Sequence, residues 1–341
     1  MKKIIWMQGF NHFPEFSGVT PAEKFKGFLN RFAILPGYEC NIASAAKIGT
    51  MTFNGVSHKG LLICTQGTQS VFSVSIPWAG SNTGKRVYYG ARVSASDTVQ
   101  GADLAVIKND ASTMLATIKA YGKNDDYFIE CVVDTEKKVA SLYANRTLIG
   151  TVSKYSTSNY LNFFLGSDAT YSRASKSGIG ICWSDFYYAE EEIDGTQGEP
   201  DVYGNIFIDS QVVSTFEGNN DYYNTMGIDI VEGLNAVIDI NYAESSGYLH
   251  VPESVGTLTY TPADFEASTA VAAQISSYVL PSFEDFEIKS DVFINGIPEE
   301  TTKSKVSSES GAYYTQYDVI NREVSVEEIN SLSVKIESIT R

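Results

Sequence analysis

Side chains able to do chemistry are few in this sequence, and their spacing argues against catalysis. The only histidines among 341 residues are His12, His58 and His250, and nucleophilic catalysis of the common kind sets such a base beside a serine or cysteine and orients it with a third group. His58 follows a serine in Gly55-Val56-Ser57-His58-Lys59-Gly60, but neighbours on a strand or turn point apart and there is no G-x-S-x-G elbow. A surface loop histidine is expected there, and a packing or turn residue at His12 in Phe10-Asn11-His12-Phe13. Carboxylates are abundant, and a glycan-cleaving site would set two of them about 5 to 9.5 Å apart across a cleft. The sequence offers Glu130 alone on its strand, and Glu284-Asp285-Phe286-Glu287, where a phenylalanine breaks the spacing. Glu130 is therefore the best single candidate for a depolymerase, and the expectation is that the chain is not an enzyme.

Other chemistry is no better supported. Asp125-Asp126, Asp134 with Glu136, and Asp239 could each offer oxygen to calcium, yet no twelve-residue EF-hand loop or nonapeptide repeat surrounds them; turn stabilisation accounts for them more simply. Gly178-Ile179-Gly180 lacks the following helix whose N-terminus would hold a phosphate. Cys40, Cys64, Cys131 and Cys182 are far apart and form no C-x-x-C pair. Buried free thiols are expected, since free cysteine packs as a small hydrophobe, with one disulfide left open. Asn145-Arg146-Thr147 fits a glycosylation sequon but reads as a hairpin turn. No cofactor or metal site is expected. The remaining candidates are aromatic: Tyr88, Tyr89, Tyr222 and Tyr223 could stack on sugar rings if exposed, against the competing reading that paired tyrosines pack a strand.

The composition is that of a folding, strand-rich chain. Hydrophobic residues make up 43%, charged ones 19% and aromatic ones 12%, outside the regime in which a chain cannot bury enough apolar surface to order itself. Short alternating runs separated by turn residues recur, as in sandwiches and barrels. They are Lys3 to Met7, Ile48 to Phe53, Gly60 to Cys64, Val71 to Ile76, Val87 to Ser94, Leu104 to Lys108 and Thr113 to Ala120. The clearest unit is the meander of Phe128 to Asp134, the turn Thr135 to Lys138, Val139 to Asn145 and Leu148 to Val152. Asn162 to Gly166 and Gly178 to Tyr188 close a first domain over residues 1–190.

The acidic stretch Glu190 to Asp201, with two glycines and a proline, marks a hinge, set at 191–204. A smaller β-sandwich is expected over 205–341, with strands at Asn205 to Ser214, Ala236 to Ile240, Thr257 to Tyr260, Ala270 to Leu280, Phe286 to Ile294 and Leu332 to Ile339. Ser325-Val326-Glu327-Glu328 fits a capping box and predicts one helical turn before the last strand.

Three groups of residues resemble those of a family of tailed-bacteriophage virion proteins whose first domain is a concanavalin-like jelly roll. The first is Ile4-Ile5-Trp6-Met7-Gln8-Gly9-Phe10, similar to the family's opening strand, with Tyr127 to Val133 and Val139 to Asn145 similar to a later strand and hairpin. The second, Trp183-Ser184-Asp185-Phe186-Tyr187-Tyr188 with Gly195 and Tyr203-Gly204-Asn205-Ile206, resembles the family's hinge. The third is Val324-Ser325 to Asn330-Ser331-Leu332. Gln8, Phe128 and Asn205 stand where the family usually has an acid, Trp and Asp.

The resemblance implies a non-enzymatic structural component of the virion, made in a host bacterial cytoplasm and mounted on the particle exterior as a capsid decoration or in the neck, tail or baseplate. It implies many copies or a homo-oligomer held against other virion proteins. The alternative is a lectin-like module binding a host-surface glycan. A net charge of −16 would repel DNA and anionic membranes at long range, so neither nucleic acid nor membrane insertion is expected. The N-terminus, interrupted by Gln8 and Gly9, is not expected to be a signal peptide.

Overall fold

The computed structural model describes residues 1–10, 13, 15, 39–40, 46–53, 56–64, 70–78, 83–95, 103–109, 114–119, 125–154, 159–166, 179–211, 213–218, 255–263, 268–279, 286–307 and 314–340. Two compact units result, Met1–Asn11 with Glu15–Ile208, and His12–Pro14 with Asp209–Arg341. Both are all-β, and helix among the described residues is confined to one turn.

The strands of the first unit are β1 (Lys2–Gln8), β2 (Glu39–Cys40), β3 (Ala46–Phe53), β4 (Val56–Cys64), β5 (Ser70–Pro77), β6 (Lys85–Ala95), β7 (Asp103–Asn109), β8 (Met114–Lys119), β9 (Asp125–Asp134), β10 (Val139–Ala144), β11 (Thr147–Ser153), β12 (Tyr160–Gly166) and β13 (Ile179–Glu192). They build a jelly-roll sandwich of two antiparallel sheets, β11-β10-β9-β6-β13-β4-β3 with β1 also on β13, and β2-β5-β12-β7-β8. The predicted meander is β9-β10-β11. Its second turn has Asn145 and Arg146 both at positive φ (49° and 66°), the two-residue geometry that matches strand twist.

At the centre lies β6, paired with β9 on one side and β13 on the other. Val87, Tyr89, Ala91 and Val93 take the inner face with Phe186 and Tyr188 of β13, and Phe186 meets Phe72 of the other sheet edge-on at 5.0 Å. The outer face is polar: Arg86, Tyr88, Gly90, Arg92 and Ser94 stand opposite Asp134, Val132, Glu130, Phe128 and Asp126 of β9. Yet it too is buried, so something other than the second sheet covers it.

The second unit comprises β14 (Val213–Gly218), β15 (Val255–Tyr260), β16 (Thr269–Ala270), β17 (Ala273–Val279), β18 (Phe286–Ile294), β19 (Ile297–Pro298), β20 (Thr302–Ser307), β21 (Tyr314–Ile320), β22 (Val324–Ser325), α1 (Val326–Asn330) and β23 (Leu332–Thr340). Sheets β14-β15-β23-β18-β19 and β17-β21-β20 enclose a core that includes Leu258, Ile275, Val292, Ile320 and Val334. The capping box forms as predicted: the Ser325 hydroxyl accepts from the Glu328 amide at 3.1 Å, and the Ser325 amide donates to the Glu328 carboxylate at 2.8 Å.

Two expectations need correction. Asn205 to Ser214 is not a strand, since regular pairing begins only at Val213. Nor is 191–204 a free hinge: it lies within the first unit, which runs to Ile208. Within this stretch the backbone groups of Gly198, Tyr203, Gly204, Ile206 and Ile208 bond side chains of the outer face instead of a neighbouring strand. The expected strand at Ala236 to Ile240 falls outside the described residues.

Candidate functional site

The chain segment after β13 folds back across the outer face of the eight-stranded sheet, and the charged residues of that face hold it there. Glu130, fully buried, accepts three hydrogen bonds: from the Tyr187 hydroxyl at 2.5 Å, from the Tyr203 amide at 2.9 Å and from the Gly204 amide at 2.7 Å. Burial pushes its pKa above the ordinary carboxylate value, against the pull of these donors. Both oxygens are therefore engaged by the protein itself, which is not the arrangement of an acid facing a substrate cleft.

Close packing makes this possible at two glycines. A Cβ at Gly90 would lie 2.0 Å from the Tyr187 ring, so only glycine lets that ring cross β6 to reach Glu130. A Cβ at Gly204, whose φ is +72°, would lie 1.9 Å from the Arg146 side chain, which donates from Nε to the Tyr203 carbonyl at 2.8 Å.

Two arginines secure the rest. Arg86, 2% exposed, donates from Nε and Nη2 to Asp134, from Nη1 to Glu191 at 3.0 Å and from Nη2 to the Gly198 carbonyl at 3.0 Å. Arg92, also 2% exposed, donates to Asp185 and Asp126 at 3.0 and 3.1 Å, to the Ile206 carbonyl at 2.9 Å and to the Asn205 side-chain oxygen. Asp185 reaches this position through a β-bulge. The pairing of β13 with β6 slips between Ser184 and Tyr187, and Asp185 adopts φ 51°. Its other oxygen accepts from the Ile208 amide at 2.8 Å, and burial holds its pKa above the usual range despite Arg92. Lys2 closes the far end, its ammonium 3.4 Å from the centroid of the Tyr203 ring and bonded to the Asp201 carbonyl. Near Ile208, a Cβ at Gly9 would stand 2.6 Å from the Ile208 carbonyl oxygen, and Phe10 follows at φ 65°. The Gly-Phe pair of the opening motif thus has a steric cause.

One aromatic residue of the segment is left on the surface. Phe207 is 60% exposed. The Arg92 guanidinium carbon lies 4.1 Å from its ring centroid, and the His58 ring stacks on it at 5.9 Å and 8°. His58 is thus buried rather than a loop histidine. Its Nε2 has no hydrogen-bond partner and sits 3.7 Å from Asp126. Burial lowers its pKa below the ordinary value.

The tyrosines proposed from sequence do not form a surface site. Tyr88 is fully buried, its hydroxyl donating to Glu191 at 2.7 Å, and Tyr89 packs its ring against Tyr188 at 4.8 Å. The correction follows from position, since β6 is a central strand covered on both faces. Tyr222, Tyr223, His12, His250 and Asp239, with Glu284 and Asp285, lie outside the described residues. Glu287 lines a shallow groove of about 290 Å³ in the second unit with Lys303, Lys305 and Gln316, groups already paired with one another or with Ser290 and Asp318. Asp134 caps the β9–β10 turn through the Lys137 amide at 2.8 Å. No three potential metal ligands converge among the described residues. Cys131 and Cys182 are free and buried, and burial raises both thiol pKa values.

No family model and no curated protein matches this chain. Solved structures resemble it in part: a sialidase at 11% identity over 56% of this chain and 19% of that one, with a TM-score of 0.31; the Trypanosoma rangeli sialidase bound to a difluoro-KDN, at 9% over 42% and 26%, with a TM-score of 0.26; and the CBM2 module of the evolved Dit of Lactobacillus casei BL23 phage J-1, at 14% over 57% and 97%, with a TM-score of 0.26. The chain spans about a fifth and a quarter of the two sialidases. Superpositions this shallow assign no family, activity or ligand.

Proposed function

We propose that the chain is a non-enzymatic structural component of a tailed-phage virion, carried on the particle exterior in many copies and held there by other virion proteins. One observation supports the non-enzymatic part of this reading. Four charged side chains of the first sandwich, Glu130, Arg86, Arg92 and Asp185, bind the protein's own segment across the sheet face, and Glu130 among them is the carboxylate that the sequence offered for chemistry. The resemblance at Ile4 to Phe10, Trp183 to Ile206 and Val324 to Leu332 supports the virion. The charge of −16 suits an outer surface better than a DNA-filled interior. Immunogold labelling of purified particles with antibody to this chain tests the reading. Gold on intact particles is the expected result, and purified virions that lack the chain by mass spectrometry would end it.

The second reading is a glycan-binding module for host attachment. Buried Tyr88 and Tyr89 no longer support it, and the observation in its favour is the exposed Phe207 ring.

A further inference from the structure

A phenylalanine left in water forgoes the gain of apolar burial, and Phe207 does so while contacting side chains that are themselves buried, Arg92 and His58. The Arg92 guanidinium carbon lies 4.1 Å from the ring centroid and the His58 imidazole stacks with the ring at 5.9 Å. Arg92 is itself fixed by Asp185, Asp126, Asn205 and the Ile206 carbonyl. The exposed part of the ring, 60% of the residue, is offered to solvent as a platform.

Polar groups tied to the same guanidinium flank it. Asn205 is exposed, and because its Oδ1 accepts from Arg92, its amide hydrogens point away from that bond and are available. Asp126 accepts from Ser94 at 2.8 Å and from Arg92 at 3.1 Å, and its side chain keeps 28% exposure, leaving further lone pairs for a hydroxyl.

We infer that Phe207, Asn205 and Asp126 form a binding site for a neutral hexopyranose unit of a glycan, the aromatic ring stacking on the C–H face of the sugar while the amide and the carboxylate take its hydroxyls. A flat apolar ring between a fixed donor and a fixed acceptor matches a pyranose, which is apolar on its faces and polar around its edge. An acidic sugar is excluded by charge, since its carboxylate would meet Asp126 on a chain of net charge −16. A single ring is too small to be the several-hundred-Å² apolar patch of a protein interface. Arg92 contacts all three side chains, which lowers the ordering that binding requires. The site does not depend on the virion reading, which is decided by particle labelling.

The full chain is titrated against soluble neutral polysaccharides (galactan, glucan and mannan), with polygalacturonate as the acidic control. Binding to at least one neutral glycan and none to polygalacturonate is expected. Phe207→Ala should weaken the binding about tenfold or more, Phe207→Trp should preserve it, and Asn205→Ala should weaken it several-fold. Phe207→Leu covers Arg92 but cannot stack, so it should bind as poorly as the alanine variant while keeping the wild-type melting temperature. The inference is overturned if no neutral glycan binds, if polygalacturonate binds equally well, or if Phe207→Leu binds like wild type.

Discussion

Glu130→Gln is the sharpest probe of the clamp. Glutamine keeps the shape of glutamate but replaces one oxygen by an NH₂ group, and the three donors around Glu130 tolerate that unequally. If the NH₂ takes the Oε2 position it faces the Gly204 amide, which sits 2.7 Å from that oxygen and cannot turn away. If it takes the Oε1 position the Tyr187 hydroxyl can rotate to accept from it, but the Tyr203 amide, at 2.9 Å, is stranded. Either orientation leaves one buried backbone donor unpartnered beside a second donor, at a cost of about 2–3 kcal/mol. Native-state hydrogen exchange reads this directly, because the loss falls on two named amides. Protection of Tyr203 and Gly204 should drop roughly 30- to 150-fold, at about tenfold per 1.4 kcal/mol. The strands of the second unit should keep theirs. Glu130→Ala, which strands all three donors, should cost about 3–5 kcal/mol. Wild-type protection of both amides in Glu130→Gln would mean that the carboxylate does not hold the segment, and the architectural reading of the face would fail with it.

Gly204→Ala should release the segment as well, since the new methyl meets Arg146 at a backbone position of φ +72°; truncating Arg146 to Ala in the same chain should restore part of the loss, and no restoration would locate the strain elsewhere. His58 gives a pH signature. Burial lowers its folded pKa, so as pH falls past about 6.5 the unfolded chain takes the proton first and stability declines. Glu130 and Asp185, raised in the fold, contribute stability that is full below their unfolded pKa and lost as pH rises through the folded one. The His58 contribution is therefore read as wild type minus His58→Gln in urea midpoints at pH 7.5 and 5.5, and equal slopes would rule it out. Cys131 and Cys182, buried with raised pKa values, should resist iodoacetamide until the first unit unfolds, with labelling located by peptide mass spectrometry. In the second unit Asp318→Ala should cost about 3–5 kcal/mol by urea unfolding, because Asp318 is fully buried and receives Lys303, Ser290, Gln316 and Thr301; a change under 1 kcal/mol would contradict it.

Strand positions were legible wherever one face of a strand is apolar and its ends carry turn residues. Val71 to Ile76 and the meander of Phe128 to Val152 fall inside β5 and β9 to β11 for that reason. The capping box at Ser325 was legible because its two reciprocal bonds depend on residues only three apart. What could not be read was the outer face of β6, where Arg86, Tyr88, Arg92 and Ser94 look like a solvated stripe. Their burial depends on a segment more than a hundred residues later in the chain. The strand β20, Thr302–Ser307, was missed because its lysines make it read as loop; Lys303 and Lys305 guard a sheet edge while pairing with Asp318 and Glu287. A weak signal for the site did exist. An aspartate inside Trp183-Ser184-Asp185-Phe186-Tyr187-Tyr188, a run otherwise fit for a core strand, demands a buried partner.

That demand points to why the face is ionic at all. Replacing a buried charge network with well-packed apolar residues is often neutral or stabilising, so Arg86, Arg92, Glu130 and Asp185 are a poor choice if stability is the only requirement. Directional bonds accomplish something that apolar packing cannot, because they fix the register of a segment without regular secondary structure. The amides of Tyr203, Gly204 and Ile208 and the carbonyls of Gly198 and Ile206 each have one designated side-chain partner. A slip of one residue would strand several of them at once, at about 1–3 kcal/mol each. The segment therefore has one position on the sheet, and Phe207 has one place on the surface. A hydrophobic cover could slide, and the ring it carried would not then be a fixed platform.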